Sequence, residues 1–339
     1  MTTNPLRVAI IGTGGISEAH VSGYRAAGVG IAAVCDVAPS LVAAKALKWG
    51  VDRSYTDYHQ MLADGGFDMV SIAAPTVVHH PATVAAAAAG KHVLVEKPIA
   101  LDLALADEMI AACDSAGVLL CVNHQLRSNG GARLARQMLA DGVIGRLTHV
   151  RLRQGHDWGG KGVTPSFRTK ASAGGGTLLD NGCHLADLAR FFGGDVDDAF
   201  GRMGTLRYDI EVEDTAHLSL RYQSGAIGVI ETSWSATGWE EGFWLYGTEG
   251  ALEYTNRYGP AKLRHSFRQS PGLGWDETDV TETLFRGDIN HVRHIAAFVA
   301  AVRGEGPVPC TGTDGREAVR LILSAYESVE LGAPVKLSG

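Results

Sequence analysis

Between residues 6 and about 122, short apolar runs alternate with segments of helical periodicity, and this alternation restricts the fold more than any other feature of the chain. The runs Leu6 to Ile11, Ile31 to Cys35, Met69 to Ala73, His92 to Val95 and Val118 to Val122 read as buried strands. The segments Ser17 to Ala27, Ser40 to Trp49, Pro81 to Ala89 and Leu103 to Ala116 carry apolar residues at helical spacing. Three of these end on Gly28, Gly50 and Gly90, as helix stops do. Strands joined through helices run parallel, because a crossover is needed to return to the same edge. The expectation is an α/β domain over residues 1–122, a doubly wound parallel sheet of the Rossmann type.

Past Asn123 the pattern changes. A helix from Ala132 to Leu139 leads to β-rich stretches at Leu147 to Trp158, Thr215 to Trp234 and Phe243 to Tyr254, with a hairpin turn at Gln223-Ser224-Gly225. Two helices, about Ile289 to Val302 and Arg316 to Glu330, are expected to cover one face of a large, mostly antiparallel open sheet. Residues 123–339 thus form an α+β domain for substrate binding and oligomerisation. Its uncovered sheet face is expected to be apolar and to act as a subunit interface, in a homodimer or homotetramer.

Two cores suit 339 residues, of which 45% are hydrophobic and 20% charged. The net charge of -7, with no block of Lys or Arg, argues against nucleic acid as a partner. No apolar run is long enough to span a bilayer; Ala85 to Ala89 stops at Gly90 and Lys91, so no membrane partner is expected. Met1 to Arg7 lacks the features of a secretory signal. The five cysteines, Cys35, Cys113, Cys121, Cys183 and Cys310, form no Cys-x-x-Cys pair. Neither a disulfide framework nor a zinc site follows, and a cytoplasmic location fits.

The first strand runs into Gly12-Thr13-Gly14-Gly15-Ile16-Ser17, a glycine turn opening a helix, where backbone amides and the helix dipole can hold a pyrophosphate. Gly12 permits the tight turn and Gly14 close phosphate approach, while Ser17 replaces the third fingerprint glycine. Asp36, directly after the second strand, can accept hydrogen bonds from ribose hydroxyls and would repel a 2′-phosphate. Val37 and Ala38 follow it without a basic neighbour, so NAD is expected as cofactor in preference to NADP.

Glu96-Lys97-Pro98 follows the strand His92 to Val95, which puts its charges at the carboxyl edge of the sheet, where ligands bind in open α/β folds. A lysine beside a glutamate is, by itself, more often a solvated ion pair. Together with Pro75-Thr76-Val77-Val78-His79, however, the triplet resembles the glucose-fructose oxidoreductase / inositol dehydrogenase (Gfo/Idh/MocA) family. Phe167-Arg168 and Gly174-Gly175-Gly176-Thr177-Leu178-Leu179-Asp180-Asn181-Gly182-Cys183-His184 resemble that family's second-domain signature, and Ala325-Tyr326-Glu327-Ser328 extends the likeness towards the end.

The resemblance implies that Lys97, Asp180 and His184 form the catalytic group and touch the substrate. It also implies cofactor contacts from Pro75, Thr76, His79, Glu96, Lys97 and Arg168, beside Gly12, Thr13, Gly14, Gly15, Ile16 and Asp36 of the nucleotide fingerprint. Thr76 and Phe167 depart from the family's usual Asn and Trp. The residue chemistry agrees with these roles. If the segment after the glycines is helical, Asp180 and His184 are an i, i+4 pair on one face. An imidazole suits proton removal from an alcohol, and a lysine ammonium suits a developing alkoxide. Two ligands do not make a metal site, and none is expected.

Asn123, His124 and Arg127, with His156, Asp157 and Trp158, offer polar groups and one aromatic platform, a mixture that suits a polyhydroxylated ring. Asn123, Arg127 and Trp158 are therefore assigned to the substrate; Arg127 and Arg168 equally suit a carboxylate or a phosphate. The function expected is hydride transfer between NAD and a secondary alcohol of a sugar, sugar derivative or cyclitol. Two alternatives stay open: a redox-neutral NAD-using glycosidase or lyase with transient ring oxidation, and a non-catalytic regulator that senses NAD or a sugar.

Overall fold

A computed structural model describes residues 5–157, 168–256, 261–268, 272–279 and 289–337. The chain begins with β1 (Arg7–Ile11), α1 (Ser17–Ala26), β2 (Gly30–Cys35), α2 (Pro39–Trp49), β3 (Ser54–Tyr55) and α3 (Tyr58–Asp64). Next come β4 (Met69–Ile72), α4 (Thr76–Ala88), β5 (His92–Val95), α5 (Leu103–Ala116) and β6 (Leu120–Val122). A 3-10 turn (Gln125–Ser128) precedes α6 (Gly130–Ala140), β7 (Leu147–Asp157), α7 (Lys170–Ala173), α8 (Thr177–Asp180) and α9 (Gly182–Gly193). Seven strands follow: β8 (Val196–Gly204), β9 (Thr215–Tyr222), β10 (Ile227–Ser233), β11 (Ser235–Gly247), β12 (Gly250–Thr255), β13 (Lys262–Arg268) and β14 (Leu273–Asp279). The last elements are α10 (Ile289–Val302), α11 (Gly312–Leu331) and β15 (Val335–Lys336).

These elements form two units. Residues 1–128 and 288–316 make the first, 129–287 and 317–339 the second. The boundary expected at 122/123 therefore lies six residues further on, and the stretch containing α10 returns to the first unit. α10 had been expected on the second sheet. Instead its apolar stripe, Ile295, Phe298 and Val299, is buried with Tyr24 of α1 and with Val8 and Ile10 of β1. Gly23 explains the choice: a Cβ there would lie 2.6 Å from Ile295 Cδ1, so α1 is grooved for this helix.

In the first unit the strand order is β3-β2-β1-β4-β5-β6, and every pairing is parallel. All four residues of β4 are buried, as a central strand covered on both faces requires. Order reverses between β1 and β4, the switch point at which the strand ends diverge and leave a crevice. The five long strands agree with the sequence to within two residues. One helix does not. α4, read from its apolar spacing as starting at Pro81, starts at Thr76 with Pro81 inside. Pro81 has no amide to offer Val77 O, the carbonyl four residues before it.

The second unit is built on a nine-stranded sheet, β14-β13-β12-β11-β7-β10-β9-β8-β15, antiparallel except where β7 meets β10. Period-2 alternation divides its faces. Val150 and Leu152 of β7 are buried on the side covered by α9, while Arg151 and Arg153 point to the other. That other face is not the apolar surface expected. Arg151 pairs with Glu231 at 2.8 Å and lies over the Trp244 ring at 4.6 Å, and Arg153 pairs with Glu240 at 3.0 Å. The edges of this sheet, β8, β13, β14 and β15, carry too many polar residues to read as strands from their sequence.

Candidate functional site

The turn from Gly12 to Ile16 sits between the ends of β1 and β4, at the switch point. Gly12 has φ +90, and a Cβ there would come within 2.5 Å of Ala73 O, so the chain itself demands glycine. Gly14 and Gly15 differ: a Cβ at either would meet nothing within 4 Å. Among the described residues, the amides of Gly14, Gly15 and Ile16 find no acceptor. Ser17, fully buried, donates its hydroxyl to Gly14 O and closes the turn where a third glycine would pack. An open pocket of unmatched amides at the start of α1 fits a pyrophosphate.

Asp36 faces the same turn. Its Oδ2 accepts from Thr13 N at 2.8 Å and Thr13 Oγ1 at 2.9 Å, and its Oδ1 accepts from Ala38 N at 3.0 Å. Burial pushes this carboxyl up, but the three donors outweigh it and hold the pKa below the ordinary range. A carboxylate has about four acceptor positions, so capacity remains for a ribose hydroxyl. Thr13, completely buried, spends its amide and hydroxyl on Asp36.

At the next strand ends, Pro75 is exposed and Thr76 half-buried where α4 begins. His79, one turn on, was assigned to the cofactor, but it is only 1% exposed. Its ring nitrogens lie 2.9 Å from Ala74 O and from Pro98 O, so it ties the loop after β4 to the loop after β5. Burial keeps its pKa low against the pull of those carbonyls. Lys97 is half-buried at the carboxyl end of β5, and the Lys97-Pro98 peptide is cis.

Glu96 is buried and likewise turned inward. Its Oε1 accepts from His20 Nε2 at 2.9 Å and from Asn123 Nδ2, while Oε2 accepts from Lys97 N at 3.1 Å. Burial alone would raise its pKa; the bond and charge of His20, then the charge of His291 and the amide of Asn123, bring it well below the carboxylate range. Asn123 and Arg127, assigned to the substrate from sequence, are committed elsewhere. Asn123 is fully buried beneath Glu96, and Arg127 pairs with Asp314 at 3.2 Å. Burial pushes the Asp314 carboxyl up, but Arg127 and the Thr311 amide and hydroxyl lower it overall.

The second unit carries Asp180 and His184. The glycine run before them is forced by crowding: a Cβ on Gly176 would lie 1.9 Å from Glu213 O. Glu213, in turn, accepts from Gly176 N at 3.0 Å, Leu178 N at 2.9 Å and Tyr326 Oη at 3.0 Å. It thereby caps α8, and burial raises its own pKa. The single helix considered from sequence is two: α8 ends at Asp180, Asn181 (φ -82, ψ -40) bridges, and α9 starts at Gly182. His184 N then donates to Asn181 O at 3.2 Å, a tightened turn. Asp180 is half-buried and His184 5% exposed.

Beside them lies His156 at the end of β7. Asn181 Nδ2 donates to His156 Nε2 at 3.1 Å, and Trp239 stacks on the imidazole with ring centres 5.0 Å apart. Burial lowers the His156 pKa, and the Asp180 charge opposes it. Asp157 accepts from Tyr208 Oη at 2.7 Å and pairs with Arg207 at 3.2 Å. The sequence had proposed Trp158 as the aromatic platform; Trp158 and Phe167 lie outside the described residues, and Trp239 is the indole found beside His156. Arg168 is exposed, its carbonyl accepting from Glu211 N at 2.9 Å. Asn181 lies inside the signature but was given no role from sequence; Trp239 and Glu213 gave no signal.

A 3-2-1-4-5-6 parallel sheet with a glycine turn and an acid at its switch point defines a Rossmann-type dinucleotide-binding protein. Residues 6–124 match the model of the oxidoreductase family with an NAD-binding Rossmann fold, and residues 132–253 match the GFO/IDH/MocA C-terminal domain. The chain is 31% identical to 1,5-anhydro-D-fructose reductase of Ensifer adhaerens, over 98% of each. It is 27% identical to myo-inositol 2-dehydrogenase of Thermotoga maritima, again over 98% of each. An oxidoreductase from Agrobacterium radiobacter, solved with NAD+, L-tartaric acid and magnesium, shares the fold with a TM-score of 0.89 at 25% identity, covering 98% of both chains. The chain belongs to the Gfo/Idh/MocA family of oxidoreductases, and its cofactor is a nicotinamide dinucleotide.

Proposed function

We propose that the protein is an NAD-dependent dehydrogenase of a secondary alcohol in a sugar, sugar derivative or cyclitol, with Lys97, Asp180 and His184 as its catalytic group. The observation that carries the reading is the position of Lys97: it follows β5 at the carboxyl edge of the sheet, and the preceding residue is anchored to β4 through Glu96 N to Ile72 O at 2.9 Å. The same edge holds the Gly12 to Ile16 turn and Asp36. When bound, NAD supplies the hydride acceptor.

The residues of the chain supply the rest. The Lys97 ammonium offsets negative charge as it develops on the substrate oxygen, and the imidazole of His184 takes the hydroxyl proton. Asp180 orients a neighbouring hydroxyl or the imidazole. The stacked Trp239 and His156 offer an apolar face with polar edges, the combination that recognises a sugar ring. Relatives named as a 1,5-anhydro-D-fructose reductase and a myo-inositol 2-dehydrogenase support this substrate class. Asp36, with no basic neighbour, supports NAD over NADP. We also propose a homo-oligomer, either dimer or tetramer.

A panel of sugars, glycosides and cyclitols, each offered with NAD+ or NADP+, tests the proposal. Reduced nicotinamide should accumulate in step with an oxidised sugar or cyclitol, and faster with NAD+. Cleaved glycoside without net reduced nicotinamide would replace dehydrogenation by the redox-neutral reaction, and nucleotide binding with no turnover on any substrate would favour a sensor.

A further inference from the structure

The first unit buries a group of polar side chains behind Glu96 that the proposed reaction does not use. His20 of α1 and His291 of α10 approach from different helices, with ring centres 6.3 Å apart, and Asn123 follows β6. Ser71 Oγ lies 2.7 Å from His20 Nδ1, and Asn123 Nδ2 lies 3.1 Å from His291 Nδ1. One assignment of protons satisfies these contacts. Ser71 donates to His20 Nδ1, and His20 Nε2 donates to Glu96 Oε1. The two amide hydrogens of Asn123 go to Glu96 Oε1 and His291 Nδ1. Glu96 is then a buried carboxylate whose Oε1 is held by His20 and Asn123 and whose Oε2 takes the Lys97 amide.

Ligand atoms of His20, Glu96 and His291 all lie within 4.8 Å of one another, a spacing that also suits a divalent cation. The Asn123 amide decides between the readings. Its nitrogen donates to Glu96 Oε1 and His291 Nδ1 and lies 3.3 Å from His20 Nε2, and so fills the centre of the group with N–H donors, which do not ligate metals.

We propose that His20 and His291 are positioning residues for Lys97, acting through Glu96 and Asn123. This rests on Lys97 being the catalytic lysine. The group fixes both oxygens of Glu96, and Glu96 fixes the peptide from which the Lys97 side chain departs. Loosening the far end at His291 frees Asn123, then Glu96, then that peptide. A displacement of about 1 Å at a reacting group can cost on the order of 100-fold in rate.

The test is steady-state kinetics and NADH affinity for the full-length protein carrying His291→Leu, His291→Asn or His20→Leu, beside Lys97→Ala. His291→Leu, at a half-buried position, should lower kcat about 10- to 100-fold with NADH affinity and thermal midpoint near wild type. His291→Asn, which restores an acceptor, should recover most of that loss; a purely structural role would not separate the two variants in kcat alone. His20→Leu should lower kcat at least as far, but its fully buried site makes it the variant more prone to misfold. Wild-type kcat in His291→Leu, or equal losses in the Leu and Asn variants, overturns the proposal. So does a stoichiometric divalent metal that purifies with the wild type and is lost from His291→Leu. Should Lys97→Ala turn over like wild type, the catalytic assignment itself fails, a result distinct from those.

Discussion

Gly12 and Gly14 occupy neighbouring fingerprint positions, yet the structure gives them opposite reasons to be glycine, and alanine at each separates the demand of the fold from that of the ligand. At Gly12, φ of +90 costs an L-residue about 1–2 kcal/mol. Its Cβ, 2.5 Å from Ala73 O, adds an overpacking cost of about 1–3 kcal/mol, because the contact is backbone and cannot swing away. Together Gly12→Ala should lose about 2–5 kcal/mol, a large share of the roughly 5–15 kcal/mol by which domains are stable.

Gly14 has neither problem. Gly14→Ala should leave the nucleotide-free protein as stable as wild type, or about 0.4–1 kcal/mol more so by narrowing the unfolded ensemble. A methyl group in the proposed pyrophosphate approach should instead weaken NADH binding about 10-fold or more, by the same overpacking scale. Urea unfolding without nucleotide gives the first quantity and NADH fluorescence titration the second. NADH affinity unchanged in Gly14→Ala, or destabilisation as large as in Gly12→Ala, would refute the reasoning.

Asp36→Ala should raise the KM for NAD+ about 10-fold or more while barely changing that for NADP+, since it removes both the ribose acceptor and the charge that repels a 2′-phosphate; kinetics with the two cofactors checks this. Arg127→Met should leave the substrate KM unchanged and destabilise the protein by about 1–3 kcal/mol, as Asp314 loses its ion pair; denaturation beside kinetics reads both. The sign with pH follows from the depressed Asp314 pKa. Its contribution is complete above the carboxyl's ordinary value of 3.8 and fades as pH falls through the lower folded value, so wild type and Arg127→Met should converge in stability in acid. Tyr326→Phe should cost about 1 kcal/mol through the lost bond to Glu213, measured by thermal unfolding.

Strong local periodicity made the first unit legible: His92 to Val95 and Leu103 to Ala116 are strand and helix as read. The start of α4 was read five residues late because apolar spacing is local, whereas the loop after β4 sets where α4 begins. α10 was misplaced because its amphipathic pattern says that it packs but not on what; the complementary groove at Gly23 lies more than 260 residues earlier in the chain. Site residues followed the same division. Gly12 and Asp36 were assigned through position relative to strands, and Lys97 through its place at the end of β5 together with the family resemblance. His79, Asn123 and Arg127 were given ligand roles on polarity alone, and the fold spends all three on internal partners that no spacing announces: backbone carbonyls, Glu96 and Asp314.

Hydride transfer dependent on Lys97 is the central claim, and isotope transfer tests it most directly. With an accepted sugar or cyclitol deuterated at the reacting carbon, the wild type should deliver deuterium to the nicotinamide ring and show a primary isotope effect, while Lys97→Ala should bind NADH normally and transfer almost none. Product formed without deuterium on nicotinamide, or full transfer by Lys97→Ala, would contradict the account.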